Sequence, residues 1–272
     1  ESAVKEFNLT YYGEHYPKEE KYKYPKAGEE NSKVEIYVYD LGKKENNLIN
    51  TGREREYIPR IKWTKNSELL SIQTLNRHQN HLELLLCNTK TNTSKIIIKE
   101  DNNSFIEITD DLTFLDNGKE FIWTSTRDGF NHIYLYNLDG KMIKQVTKGN
   151  FEVAKYYGFD QSKKVFYYLS TEISPTERYV YAITLDGKKT NLTSPKGTHA
   201  ASFSNGFKYF IDTYSSYGKP YTCTVNSSNG KTIRVLEDNR DLNASLQEYH
   251  LGKIKEFTFK NKNGIEIGRA HV

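Results

Sequence analysis

One unit recurs along this chain at a period in the forties, and no other feature restricts its fold as much. The unit is an alternating strand, a polar turn and a second strand. It reads Ile36-Tyr-Val-Tyr-Asp40-Leu, Leu84-Leu-Leu-Cys-Asn88-Thr, Ile133-Tyr-Leu-Tyr-Asn137-Leu, Val180-Tyr-Ala-Ile-Thr184-Leu and Tyr221-Thr-Cys-Thr-Val-Asn226. The anchors at 40, 88, 137, 184 and 226 lie 48, 49, 47 and 42 residues apart. A second unit falls between them: an aromatic, a polar turn, then an apolar strand. Its anchors are Trp63, Phe114, Phe159 and Phe203, at spacings of 51, 45 and 44. Four short antiparallel strands per period is the arithmetic of a β-propeller blade. The expected fold is therefore all-β, with Trp63, Phe114, Phe159 and Phe203 in equivalent positions. The inner faces should be packed by alternate residues such as Ile36, Val38, Ile133, Leu135 and Val180.

The turns agree with that period. Asp139-Gly140 and Asp186-Gly187 stand between strand runs, as tight hairpins need, and Asn117-Gly118 and Asn229-Gly230 do the same. A Thr- or Val-bearing strand follows, as in Lys144-Gln-Val-Thr147 and Asn191-Leu-Thr193. The strongest helical stretch is Asn239 to Tyr249, enough for one short helix. A sandwich of hairpins has no need of one unit repeated five times.

Composition removes several classes of function. Aromatics at 13% argue against disorder. No apolar run approaches 18 residues, so no membrane-spanning helix is expected in this segment. A formal charge of +4, evenly mixed, does not suggest a nucleic-acid partner. Cys87 and Cys223 are far apart with no CxxC, which supports neither a zinc cluster nor a disulfide framework. His78, His81, His132 and His199 show no HExxH and no helical i, i+4 pairing, so no metal is expected. With no P-loop and no GxGxxG, no cofactor is expected either.

Both termini carry expectations. Glu1 is neither an initiator Met nor the start of a signal peptide, so the chain is read as starting inside a longer protein. Ile267 to Val272 reads IGRAHV, one reading frame of a widely used sequencing adapter, and is expected to be foreign to the natural protein.

Longer strings within the repeat resemble a known family. Tyr22-Lys-Tyr-Pro-Lys-Ala-Gly-Glu29 with Asn31-Ser32 is similar to a hallmark of the dipeptidyl peptidase IV group of the prolyl oligopeptidase family. So is Ile108-Thr-Asp-Asp-Leu-Thr-Phe-Leu-Asp-Asn-Gly118 running into Phe121-Ile-Trp-Thr-Ser125. Asp128-Gly-Phe-Asn-His-Ile-Tyr-Leu-Tyr136 and Gln145-Val-Thr-Lys-Gly149 resemble the bacterial members. Gly197-Thr-His-Ala-Ala-Ser-Phe-Ser204 and Arg234-Val-Leu-Glu-Asp-Asn239 complete a collinear set of six. The resemblance implies the later blades of an eight-bladed propeller that covers a C-terminal α/β-hydrolase domain. It further implies a secreted or periplasmic serine peptidase that releases N-terminal dipeptides with Pro or Ala at the second position. Residues 1–250 would be the partial propeller, 251–266 the start of the connection into the hydrolase domain, and 267–272 the adapter-like tail. Peptide substrates, the chain's own hydrolase domain and a homodimer of the full-length protein are the implied partners.

The chemistry of hydrolysis is not visible in these residues. There is no GxSxG, so the Ser, Asp and His of the implied triad are expected downstream. The family's Tyr-Glu-Glu motif, which holds a free substrate ammonium between carboxylates, is also missing. Glu19-Glu20 and Glu29-Glu30 are paired carboxylates in another context and read as solvated surface. The resemblance places a substrate-contacting aromatic near Ser104-Phe105-Ile106, which makes Phe105 the candidate substrate-binding residue beside the plainer reading of a core aromatic. Two other readings stay open: a TolB-like scaffold propeller with no enzyme, and a sialidase-like propeller, which would show repeated Ser-x-Asp-x-Gly-x-x-Trp boxes. Fold alone does not choose between them.

Overall fold

The computed structural model describes residues 2–252 and 255–271. Strands dominate. An antiparallel hairpin of β1 (Glu6–Tyr11) and β2 (Lys18–Lys23) comes first, and a second pairs β3 (Tyr37–Asp40) with β4 (Glu45–Leu48). Four four-stranded sheets follow. They are β5 (Tyr57–Trp63), β6 (Leu69–Leu75), β7 (His81–Asn88) and β8 (Thr93–Asp101); β9 (Thr113–Phe114), β10 (Glu120–Ser125), β11 (His132–Asn137) and β12 (Met142–Gln145); β13 (Val153–Asp160), β14 (Val165–Ser170), β15 (Tyr179–Thr184) and β16 (Lys189–Asn191); and β17 (Thr198–Phe203), β18 (Tyr209–Ser216), β19 (Lys219–Ser227) and β20 (Thr232–Glu237). In each sheet the strand order follows the chain, the meander of a propeller blade. Among the described residues, the α-helix α1 (Arg240–Leu246) and a hairpin of β21 (Lys255–Lys260) and β22 (Glu266–His271) come last, and a 3-10 turn at Asn205–Phe207 lies between β17 and β18. Most of the adapter-like tail lies in β22.

The repeat in the sequence is a repeat in space. Trp63, Phe114, Phe159 and Phe203 fall at or one residue before the end of the first strand of their sheets. Each pairs with the residue seven positions on: Trp63 with Leu70, Phe114 with Phe121, Phe159 with Phe166, Phe203 with Phe210. The second repeat is as regular. The Val146 and Leu192 amides donate to the Ile133 and Val180 carbonyls, at 2.8 Å in both cases. The Ile133 and Val180 amides donate in turn to the hydroxyls of Thr147 (3.0 Å) and Thr193 (2.9 Å). Each threonine thus closes its fourth strand onto the third with a side chain.

The hairpins depart slightly from expectation. Gly140, Gly187 and Gly230 have positive φ while Asp139, Asp186 and Asn229 do not. A glycine in the left-handed region after a type I turn makes a three-residue loop with a bulge, rather than the two-residue turn in which both central residues are left-handed. Gly230 is needed for a second reason: a Cβ there would fall 2.7 Å from the Leu192 carbonyl oxygen. At Gly158, within β13, a Cβ would meet the Phe207 ring at 2.5 Å, and that ring stacks on Tyr167 with centroids 5.1 Å apart.

Two compact units divide the chain: Glu1–Ile122 with Tyr136–Ile143, and Trp123–Leu135 with Lys144–Val272. In the first, Ile49, Leu70, Ile72, Leu85 and Cys87 form a core against which Ile36, Val38 and Ile58 pack. In the second, Tyr167, Leu169, Val180, Leu192 and Phe210 form the core, flanked by Tyr157, Phe203 and Phe207. Fully buried side chains of this size contribute roughly 1.5–3 kcal/mol each by removal from water. Ile133, Leu135 and Val180 are buried as expected, while Ile36 and Val38 are half-buried. The alternation is incomplete, because Tyr134, Tyr136, Tyr179 and Tyr181 are buried as well. A strand covered on both faces has no solvent side to reserve for polar residues.

Candidate functional site

Phe105 lies in the connection between β8 and β9. Asn102 opens it with a side-chain turn, its Oδ1 accepting the Ser104 amide at 2.8 Å. Two backbone bonds fasten the segment to the loop between β6 and β7: the Asn102 amide donates to the Asn80 carbonyl (2.9 Å) and the Ile106 amide to the Gln79 carbonyl (2.8 Å). Ile106 is buried and serves as the anchor, while the neighbouring Phe105 is 54% exposed. The ring is therefore on the surface, against the core reading of this aromatic, and it is carried by a loop held on both sides.

A charged cluster supports that loop. Glu83, on β7, is a buried carboxylate between Leu82 and Leu84. Its Oε2 accepts from Arg55 Nη1 and, at 3.0 Å, from Arg53 Nη2. Its Oε1 lies 3.3 Å from His81 Nε2, and His81 Nδ1 lies 2.6 Å from Asp101, the residue before the Asn102 turn. Burial alone would push the Glu83 carboxyl up. The bonds from Arg55 and His81, with the charges of Arg55 and Arg53, outweigh it and hold Glu83 below the usual carboxylate range. The bond to Asp101 raises His81 against the smaller opposing effect of burial. Arg77, in the β6–β7 loop, donates from Nη2 to the Glu29 carbonyl (2.7 Å) and from its amide to Glu56 Oε2 (2.5 Å). Arg53 and Arg55 also line an open cleft of about 620 Å³, whose apolar wall includes Ile36, Leu48 and Ile58.

The cluster's titratable groups are paired with one another, so the arrangement positions a loop rather than activating a nucleophile. Sequence reasoning passed over Arg53, Arg55, Glu83 and Asp101. The available signal was a carboxylate inside an apolar strand, which demands a cation from elsewhere. Glu19 and Glu20 are exposed on β2. Glu29 is more engaged than a solvated surface residue: it accepts from Lys5 Nζ at 2.6 Å and from the Lys26 amide at 3.1 Å. His132 bonds to Thr147 and the Gly149 carbonyl, and the buried His199 bonds to Asp212 and the Pro195 carbonyl. Among the described residues no group of three or more His, Cys, Asp or Glu could hold a metal ion. Nor is any helix there long and apolar enough to cross a membrane.

Repeated four-stranded meanders with one aromatic register define a β-propeller segment. Residues 1–221 match the family model of the dipeptidyl peptidase IV N-terminal region, and the chain belongs to that family. A probable dipeptidyl-aminopeptidase B of Emericella nidulans is 30% identical over 92% of this chain and 31% of its own length. Dipeptidyl peptidase 4 of Trichophyton rubrum is 27% identical over 97% of the chain and 36% of its own length. The crystal structure of Porphyromonas gingivalis dipeptidyl peptidase 4 superposes with a TM-score of 0.89 at 36% identity, covering 98% of this chain and 38% of that one. The chain thus spans about a third of the length of the relatives it matches.

Proposed function

We propose that this chain is the propeller part of a serine-type dipeptidyl peptidase of the prolyl oligopeptidase family, which releases N-terminal dipeptides with Pro or Ala at the second position. In this reading residues 1–250 gate the access of peptides to an α/β-hydrolase domain, residues 251–266 lead into that domain, and the last six residues are foreign. Phe105 offers an apolar contact to an arriving peptide, its loop held by the Glu83 cluster. The whole protein works in the periplasm or cell envelope, or is secreted, and pairs as a homodimer. What supports this reading above all is the collinear likeness to the Porphyromonas gingivalis enzyme over nearly the entire chain.

The experiment is an assay of the full product of the gene on Gly-Pro and Ala-Pro chromogenic dipeptides. Turnover abolished by a serine-directed phosphonate is the expected result, and Phe105→Ala should raise KM with kcat little changed. A full product that folds and leaves both substrates intact would favour the scaffold reading instead.

A further inference from the structure

In the second unit, a cleft of about 630 Å³ opens beside the connections that precede β15, β17 and β19. Glu177 lines it with a carboxylate that is 8% exposed. Its two oxygens are used differently. Oε2 accepts from the buried Tyr179 hydroxyl at 2.7 Å. Oε1 is reached by Lys196 Nζ at 3.2 Å, on a side chain that is 84% exposed. A buried carboxylate needs a cation, and the chain meets that need at Glu83 with Arg55, itself packed out of solvent. At Glu177 the cation instead hangs on a flexible stem in water, where ion pairs are weakly held. Lys196 therefore behaves as a tethered, displaceable occupant.

The remaining lining suits the same group. Thr176, Thr198, Ser215 and Ser216 also line the cleft, side chains whose hydroxyl oxygens are of the type that accepts ammonium protons, although Thr176 Oγ1 already shares a hydrogen bond with Ser174 Oγ at 3.1 Å. Tyr217, 64% exposed, offers a ring to an alkyl stem or its charge. Oε2 already accepts the Tyr179 hydroxyl and Oε1 already meets a single ammonium, that of Lys196, so the carboxylate is presented to a compact point charge rather than to the two-pronged fork of a guanidinium.

We propose that this cleft binds the primary ammonium of a peptide lysine side chain, with Glu177 as its counterion and Lys196 as a built-in competitor. The site is separate from the Tyr-Glu-Glu motif that the family resemblance implies, and it does not depend on the peptidase reading.

The test is a titration with Nα-acetyl-lysine methylamide, followed by protein NMR shifts, on the wild type, Lys196→Ala and Glu177→Gln. Nα-acetyl-norleucine methylamide, which lacks the ammonium, is the control. Wild type should bind saturably with a Kd on the order of 1–10 mM. Removing the competitor should tighten binding about fivefold or more, because a site occupied from within presents only a fraction of itself to the ligand. Glu177→Gln and the norleucine control should show no saturable binding. Equal affinity in wild type and Lys196→Ala, absence of binding in both, or binding of the norleucine compound would overturn the proposal. Those outcomes stand even if Glu177→Gln fails to fold.

Discussion

His81 sits between two carboxylates, with Asp101 on Nδ1 and Glu83 on Nε2. Its pKa is raised above 6.5, so its contribution to stability is complete below that value and is lost as pH rises through the folded pKa. Glu83 has the opposite sign. Its pKa is lowered, so its contribution is present above 4.5 and is lost as pH falls through the folded pKa. The cluster under the Phe105 loop is therefore at full strength between 4.5 and 6.5. An NMR titration should place His81 above 6.5, and Asp101→Asn should bring it back toward that value; an unchanged midpoint would remove Asp101 as the cause. Gly230 makes a purely steric prediction. Alanine there carries a left-handed φ and a Cβ against the Leu192 carbonyl, so it should cost about 2–4 kcal/mol in urea unfolding. A loss below 0.5 kcal/mol, the scale of a neutral surface change, would show that the turn relaxes freely.

At the scale of elements, the four aromatic anchors share a register but not an environment. Phe159 is buried and pairs with Phe166, their rings 4.3 Å apart, whereas Trp63 is 47% exposed. Phe159→Ala should therefore cost about 3–5 kcal/mol. Trp63→Ala should cost clearly less, although the indole is the larger ring; equal losses would mean that register rather than burial sets the cost. The blades were legible in the sequence because a strand–turn–strand unit advertises itself locally, through Asn-Gly and Asp-Gly turns and alternating aromatics. α1 was legible to within three residues at its C-terminal end. The Glu83 cluster was not, because Arg55 comes from 28 residues upstream and from a different connection. No local pattern states which cation will meet a carboxylate buried in a strand. Phe105 was singled out by resemblance, and its exposure followed from the Asn102 turn and the Ile106 anchor, neither of which periodicity encodes.

Across the whole molecule, apolar surface is left uncovered on particular sheets. Ile211, Ile233 and Val235 are exposed on the β17–β20 sheet, and Tyr37 and Tyr39 on the β3–β4 hairpin. Exposed apolar side chains on sheets of this kind bind hydrophobic dyes and promote association. The purified chain should enhance the fluorescence of such a dye and elute broadly on size exclusion; a monodisperse monomer with no dye response would contradict that. The proposed reading is that these 272 residues shape and gate but do not cut. Amide hydrolysis needs an activated nucleophile, an oriented base and an oxyanion hole, and the chain contains no GxSxG to supply the first. The most direct measurement sets the purified 272-residue chain beside the full product of the gene on Gly-Pro p-nitroanilide. The account predicts no release of chromophore by the chain and turnover by the full product. Turnover by the chain alone, blocked by a serine-directed phosphonate, would contradict it.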